Sequence, residues 1–149
     1  MYQYKITLLK SKISETEVKF RCSQDVAENS FIHHLFTDQD NDKEKLYVII
    51  LNIKNKVIGY SLVSMGSLTA SIVHPREVLK PAILASAASI IIIHHPSGDP
   101  EPSIDDIEVT NRISKACAIM GINLLDHIII AFEVDEFKGY YSFKQRNLI

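Results

Sequence analysis

Cysteine is scarce in this sequence, with only Cys22 and Cys117 among 149 residues. The two cysteines lie far apart and form no C-x-x-C pair, which argues against a disulfide framework and against a zinc site built from thiolates. Two reduced thiols are ordinary in a cytosolic protein. We therefore expect the chain to be cytoplasmic.

Long apolar runs and an excess of positive charge are also missing. The longest uninterrupted apolar run covers residues 46–51, whereas a membrane-spanning helix needs about 20 apolar residues. The first residues lack the basic start and apolar stretch of a secretory signal. Sixteen Lys and Arg are outnumbered by eighteen Asp and Glu, so the overall charge does not favour a phosphate backbone. We expect neither a membrane nor a nucleic acid to be a direct ligand.

The composition that remains is that of one folded domain. Apolar residues make up 46% of the chain and charged residues 23%, which is close to an ordinary globular protein with a core. A length of 149 residues suits a single domain. Residues 1–22 are polar and weakly periodic. We therefore predict a loosely ordered N-terminal extension over residues 1–22 and one domain over residues 23–149.

The first half of that domain is predicted to contain a helix and a hairpin. Ser23 has the residue type of an N-cap, and the helix that follows is predicted to end near Phe36. Residues 46–53 are almost continuously apolar, which is typical of a strand covered on both faces. A turn leads into a second strand over residues 57–63, and a third, shorter strand is predicted at residues 68–73.

The middle of the chain is predicted to form a helix, a strand and a loop. Pro81 is tolerated only near a helix start, so the regular helix is predicted to begin within a few residues of it. Residues 89–93 form another buried strand. Residues 96–102, with the sequence PSGDPEP, can only be a loop.

The last part of the chain predicts one more helix and two strands. Ser103 and Asp106 have the spacing of a capping box, and Gly121 ends the helix that they open. Strands follow at residues 124–132 and 140–143. The whole order of elements predicts an α/β (α+β) fold, in which helices flank a mixed β-sheet.

Two of the six histidines stand where a functional site is expected. His94 and His95 lie between a buried strand and a loop, and α/β proteins place their sites at such strand ends. Asp106 follows eleven positions after His95, so the loop between them can bring their side chains together. Imidazole and carboxylate are both ordinary zinc ligands, although helix capping explains Asp106 equally well. His127, in the apolar stretch LLDHIII, is interpreted as a hydrogen-bonded structural histidine.

The motifs around these residues resemble the RadC family, which are bacterial JAB/MPN domains related to the JAMM zinc metalloproteases. The resemblance rests on HPSGDPEPSIDD (residues 95–106), with HPRE (residues 74–77) before it and LDH (residues 125–127) after it. It covers roughly residues 40–149 and implies the MPN/JAB, cytidine-deaminase-like architecture. No counterpart of the extra N-terminal helical region of full-length RadC proteins is recognised in this sequence, so we expect the short, single-domain form.

The resemblance also implies a set of site residues. In the family, a zinc ion is held by His-x-His at a strand end and by an aspartate eleven residues after the second histidine. His95 and Asp106 match two of these ligands. Ser103 matches a serine that steadies the developing oxyanion, and Glu44 is the best match for the glutamate that acts as general base. Glu44 could reach the site only if the strand that follows it lies beside the strand at residues 89–93.

The first histidine of the family motif has no match in this chain. Its position is held by Ile93, which has no lone pair, and His94 stands where the family usually has asparagine. Since neighbouring side chains of a strand point to opposite faces, His94 and His95 should aim apart. Either a bulge at the strand end lets His94 bind the zinc, or the metal site is weakened or lost. If the strand is regular, Ile93→His is expected to raise the affinity for zinc.

Three functions follow from this resemblance. The first is a JAMM-type zinc-dependent hydrolase that cleaves an amide or isopeptide bond in a peptide or protein substrate. The alternative is a catalytically inactive MPN-like binding module, in which the fold persists without the metal. A factor associated with DNA repair is a third function, which the family name implies. The sequence identifies neither the substrate nor the oligomeric state.

Overall fold

The computed structural model describes residues 1, 3, 11–12, 17–36, 43–66, 73–96, 98–133 and 136–149. Within these ranges, four helices and five strands are found. The helices are α1 (Ser23–Ala27), α2 (Ser30–Phe36), α3 (Pro75–Leu84) and α4 (Ile104–Met120). The strands are β1 (Lys45–Leu51), β2 (Val57–Met65), β3 (Ser89–His95), β4 (Asn123–Glu133) and β5 (Glu136–Ser142).

The five strands form one mixed sheet in the order β2-β1-β3-β4-β5. The pairs β2–β1, β1–β3 and β4–β5 are antiparallel, whereas β3 and β4 are parallel. A parallel pair needs a crossover connection, and α4 supplies it between β3 and β4. The prediction of a mixed sheet flanked by helices is therefore confirmed.

Both faces of the sheet are covered, which explains the almost continuous apolar runs of the central strands β1 and β3. Alternate side chains supply two separate cores. One core lies against α3 and α4, and the other lies against α1 and α2. We call these sides the α3/α4 face and the α1/α2 face. From the two central strands, the α3/α4 face receives Leu46, Val48, Ile90 and Ile92, and the α1/α2 face receives Ile49, Leu51, Ile91 and Ile93.

The single helix predicted from Ser23 to Phe36 is in fact two helices. The first helix ends at Glu28, which is its C-cap. The side-chain oxygen of Asn29 accepts the backbone N–H of Phe31 at 3.0 Å, so Asn29 opens the second helix. Short polar side chains compete in this way with a continuous helical hydrogen-bond ladder.

The predicted start of the third helix was wrong. The helix begins at Pro75, and Pro81 lies inside it. Pro81 removes one bond of the ladder, and its ring crowds the carbonyl group of residue 77, but the helix continues to Leu84. The predicted short strand at residues 68–73 falls largely on residues 67–72, which lie outside the described residues.

Part of the predicted N-terminal extension lies against the hairpin of β1 and β2. The carbonyl oxygen of Val18 accepts the N–H of Val57 at 2.9 Å, and Phe20 is buried in the core of the α1/α2 face. The domain boundary at residue 22 stays a prediction. In the described ranges, no helix combines the length and the apolarity that crossing a membrane requires.

Candidate active site

His94 and His95 lie on opposite faces of the sheet. The pairing of β3 with β1 runs without interruption from Ser89 to His95, so no bulge on that side turns the two rings together. Regular alternation puts His94 on the α3/α4 face and His95, like Ile93, on the α1/α2 face. A histidine at position 93 would therefore face away from the start of α4.

His95 is surrounded by aromatic side chains of the α1/α2 face. Its ring centroid lies 5.6 Å from that of Phe36 and 5.5 Å from that of Phe132. Its Nδ1 lies 3.0 Å from the carbonyl oxygen of Ile130 on the neighbouring strand. The structure does not bring His95 to Asp106, although the resemblance had paired these two residues as zinc ligands.

His94 is the histidine that meets Asp106. Its Nδ1 lies 2.9 Å from Oδ1 of Asp106, and both side chains are largely buried. Despite this short distance, neither ring nitrogen of His94 makes a hydrogen bond of regular geometry. The imidazole of His94 and the carboxylate of Asp106 are therefore in contact without forming a regular hydrogen bond.

The predicted capping box is present and holds the Asp106 carboxylate. The Ser103 hydroxyl accepts the backbone N–H of Asp106 at 3.1 Å. In return, the hydroxyl and the backbone N–H of Ser103 both donate to Oδ2 of Asp106, at 2.6 and 2.8 Å. Burial by itself raises the pKa of Asp106, but the contacts with His94 and Ser103 outweigh burial and leave that pKa lowered. The carboxylate therefore stays ionised at neutral pH.

His127, which the sequence analysis interpreted as structural and did not place near the candidate ligands, lies beside His94. It is fully buried on β4, and its ring centroid lies 6.3 Å from that of His94. Its Nδ1 lies 2.6 Å from Oγ1 of Thr110, which agrees with the interpretation of a hydrogen-bonded histidine. Its Nε2 is buried without a hydrogen-bond partner. Three effects together lower the pKa of His127 to about 3: loss of hydration is the largest, the charge of His94 acts in the same direction, and the charge of Asp106 opposes both.

One extra residue in β4 decides which way His127 points. Leu124 pairs with Ile90 and Asp126 pairs with Ile91, so Leu125 is unmatched between them. A bulge of this kind reverses the faces of all residues after it. Without it, strict alternation from Leu124 would turn His127 toward the α1/α2 face. The signal available in the sequence was only the histidine inside an apolar strand.

Glu44 meets the condition that the sequence analysis set for it. It immediately precedes β1, and β1 lies beside β3 with Lys45 opposite His95. Glu44 therefore lies at the end of the sheet where β3 runs into the loop. Its carbonyl oxygen accepts the backbone N–H of Gly66 at 2.9 Å. Its role as general base stays a prediction.

The side chains of this site are of the types that bind zinc, but their nitrogen and oxygen atoms do not surround one common point. A carboxylate and an imidazole are in contact, and two further ring nitrogens of His94 and His127 are buried without aligned partners. Across the part of the chain that the structure describes, no three His, Cys, Asp or Glu side chains are grouped closely enough to hold a metal ion. His94, Asp106 and His127 are thus of the residue types that bind zinc, whereas their side chains as they stand do not form a three-ligand group.

A mixed sheet covered by helices, with a buried imidazole and carboxylate where β3 gives way to α4, defines an α+β domain of the JAB/MPN type. The family profile of the RadC-like JAB domain matches residues 20–148. The chain belongs to this family, as its motifs predicted.

Several similar proteins come from bacteria and are named UPF0758 proteins. The chain is 54% identical over 107 residues to one from Caldanaerobacter subterraneus, covering 68% of this chain and 46% of that protein. It is 49% identical over 109 residues to one from Rubrobacter xylanophilus, covering 72% and 45%. It is 53% identical over 109 residues to one from Clostridium acetobutylicum, covering 72% and 45%. The chain thus spans about half the length of the curated relatives it matches, and their names state no activity.

Proposed function

We propose that this domain is a zinc-dependent hydrolase for amide or isopeptide bonds, with His94 and Asp106 as protein ligands of the zinc. The observation that carries the proposal is the buried contact between these two side chains, 2.9 Å apart. Taking two polar groups out of water costs free energy unless they are paired or bind an ion. The same pair lies at the strand end where α/β folds carry their sites.

The separation of the two donors is close to what zinc requires. Tetrahedral zinc with bonds of about 2.0–2.1 Å holds neighbouring donors about 3.3 Å apart. A small outward movement from the present 2.9 Å would meet that requirement. Zinc in such a site supplies a Lewis acid that polarises a carbonyl group and lowers the pKa of water to about 7.

The remaining residues would hold and orient the reacting groups. Ser103 fixes Asp106 through two donated hydrogen bonds, which keeps the carboxylate ionised and oriented. An oxyanion role for Ser103 requires its hydroxyl proton to leave Asp106, since the hydroxyl now donates there. Glu44 is our proposed general base, supported by its position beside the end of β3.

A second candidate function is a non-catalytic MPN-like binding module. It is favoured by the position of His95, whose ring contacts Phe36 and Phe132 on the face away from Asp106. It is also favoured by the lack of a ready three-ligand group among the residues that are described. In this case the fold and the loop after β3 would serve as a surface for a protein partner.

Zinc content separates the two functions. The purified protein is incubated with zinc, desalted, and analysed by mass spectrometry for bound metal, together with His94→Ala, Asp106→Asn and His95→Ala. We expect about one zinc per chain in the parent and in His95→Ala, and a loss of zinc in the other two variants. Absence of zinc from the parent would support the binding module.

Activity is tested on the zinc-loaded protein with isopeptide-linked and linear peptide substrates. The hydrolase proposal expects cleavage that is abolished by a chelator and restored by zinc. It further expects Glu44→Gln to retain zinc while losing cleavage, because a general base moves a proton without holding the metal. Zinc binding without cleavage of either class of substrate would support the metal site and contradict the proposed hydrolase activity.

The substrate class and the cellular compartment of this protein are likewise proposals. We propose a peptide or protein substrate rather than a nucleic acid, because the chain carries a formal charge of −2. Absent or salt-independent binding to DNA would remove the DNA-repair function as a direct activity. Cys22 and Cys117 are free thiols, which supports the reducing cytoplasm as the compartment.

A further inference from the structure

We infer that His127 supplies the third protein donor of the metal site, through Nε2, in the place that the resemblance had given to His95. The inference rests on the proposed zinc site. The inference is that the lone pair on Nε2 of His127, on the neighbouring strand β4, binds the zinc ion that His94 and Asp106 would hold.

The first support is the position of the ring. His127 lies opposite Ile92 in the parallel pairing of β3 with β4, two residues before His94 along the strand. The rings of His127 and His94 lie on the same face, 6.3 Å apart between centroids with an angle of 30° between planes. His95 lies on the other face, with its Nδ1 at the carbonyl oxygen of Ile130.

The second support is the protonation of the His127 ring. The Thr110 hydroxyl donates to the carbonyl oxygen of Asp106 at 2.6 Å, so its single proton is already used. Toward His127 Nδ1, 2.6 Å away, Thr110 can therefore only accept. Nδ1 must carry the ring proton, which leaves a lone pair on Nε2. A lone pair on a neutral imidazole is the form that binds zinc.

The third support is the surroundings of that lone pair. Histidines that bind metals nearly always donate their other ring N–H to an oxygen, which fixes the ring and its tautomer. In this protein the Thr110 oxygen accepts the Nδ1–H of His127, and the Thr110 hydroxyl donates to the backbone carbonyl oxygen of Asp106. One hydroxyl therefore links His127 to Asp106. The ring also stacks on Phe143, with centroids 4.8 Å apart and planes 7° apart. The ring is thereby held in one orientation.

The fourth support is that both neighbouring imidazoles are left unsatisfied. Nε2 of His94 and Nε2 of His127 are buried and have no hydrogen-bond partner. Buried polar atoms without partners are rare in folded proteins and need an explanation. Since the three donors are not gathered as the side chains stand, we expect zinc binding to move the His94 ring relative to Asp106.

The test compares two matched substitutions, His127→Asn and His95→Asn. Asparagine can keep the hydrogen bond made by Nδ1 while it removes Nε2 in both cases. Zinc affinity is measured by competition with a chromophoric chelator. Loss of a group that merely supports a ligand costs about 10–100-fold in affinity, so loss of a ligand should cost at least 100-fold. We expect that loss for His127→Asn and a change of less than about threefold for His95→Asn.

The outcomes separate this inference from the proposed function. If the parent binds no zinc, both fail. If the parent binds zinc and loses it in His94→Ala, but His127→Asn binds as tightly as the parent, only the inference about His127 is overturned. Loss of zinc in His95→Asn would likewise overturn it.

A measurement on the parent protein guards against a variant that fails to fold. Nitrogen-15 spectra of the histidine rings identify the tautomer, and cadmium-113 in place of zinc couples to the nitrogens that bind it. We expect His127 to carry its proton on Nδ1 without metal, and cadmium coupling at its Nε2. A proton on Nε2, or coupling to His95 instead, would contradict the inference.

Discussion

The hydroxyl of Ser23 donates to Oδ2 of Asp126 at 2.6 Å, across 103 residues of sequence. Ser142 donates to the same oxygen at 2.6 Å, and the backbone N–H of Lys144 donates to Oδ1 at 3.0 Å. Asp126 is only 3% exposed, so these donors replace the water that a carboxylate needs. The contact joins α1 and the end of β5 to the strand that carries His127.

Ser23→Ala is therefore expected to destabilise the protein by about 1–3 kcal/mol. The substitution removes a hydrogen bond to a buried charged group, and such bonds are worth about that much. Urea unfolding at neutral pH measures the change. Ser30→Ala is the matched control, because Ser30 is exposed, and we expect its effect to stay within about 0.5 kcal/mol. Equal effects in the two variants would show that the Asp126 network is not a source of stability.

Ser103→Ala should weaken the start of α4 and loosen the Asp106 carboxylate. Removal of an N-cap hydroxyl costs about 1 kcal/mol, whereas Ser103→Thr keeps the hydroxyl and should cost much less. The pKa of Asp106 should rise in Ser103→Ala, because one of the hydrogen bonds that lower it is lost. Carbon-13 titration of the carboxyl group measures this pKa. An unchanged pKa would mean that the Ser103 hydroxyl does not contribute to lowering the pKa of Asp106, and that His94 and the backbone N–H of Ser103 account for it.

The expectation that Ile93→His raises zinc affinity in a regular strand is overturned, because the regular strand points position 93 away from Asp106. Ile93→His is instead expected to destabilise the domain without strengthening zinc binding. Ile93 is fully buried in the core of the α1/α2 face, away from Asp106. Burying an imidazole there without a partner costs roughly 2–4 kcal/mol in the free energy of unfolding. Ile93→Val is the control and should cost only about 1 kcal/mol. A rise in zinc affinity for Ile93→His would contradict the strand register described above.

The metal-free protein should lose stability as the pH falls below about 6.5. His127 has a pKa of about 3 in the folded protein, whereas a histidine in the unfolded chain titrates near 6.5. Between these values the unfolded chain binds a proton that the folded protein does not, so acid favours unfolding. The stability from His127 is full above pH 6.5 and is lost as the pH falls toward 3.

Urea midpoints measured in the presence of a chelator at pH 7, 5.5 and 4.5 test this expectation. The decline should be smaller in His127→Asn, because position 127 then carries no group that titrates in that window, while the other five histidines are unchanged. The lowered pKa of Asp106 acts in the same direction only at lower pH, below its ordinary value of 3.8. Parallel declines in the parent and in His127→Asn would contradict the assignment to His127.

The two thiols should differ sharply in reactivity. Cys22 is exposed, whereas Cys117 is buried in the core of the α3/α4 face, and burial raises the pKa of its thiol to about 11. Since the thiolate is the reactive form, Ellman's reagent at pH 8 should label Cys22 rapidly and Cys117 only after unfolding. Cys22→Ser should abolish the fast phase. Rapid labelling that persists in Cys22→Ser would show that the core around Cys117 opens readily.

Local patterns were enough to locate most elements of this fold. The hairpin of β1 and β2, the buried strand β3 and the capping box of Ser103 and Asp106 all rest on interactions within a few residues. The start of α3 was misplaced because the tolerance of a helix for Pro81 depends on the turns around it. Asn29 divided the first helix through a side-chain bond that composition does not reveal.

The residue types of the site could likewise be predicted from the sequence, because a histidine at a strand end and an aspartate at a helix start are local features. The sequence did not predict which of these side chains come together. Which imidazole meets Asp106 depends on the face that each strand residue occupies, and that face follows from pairing with neighbouring strands. Unbroken pairing of β3 with β1 sends His95 to the far side, and the unmatched Leu125 turns His127 toward His94. The alternation of side chains is a property of a single strand and can be inferred from sequence. The register between strands exists only in the assembled sheet, and in this protein it determines which histidine side chains lie near Asp106.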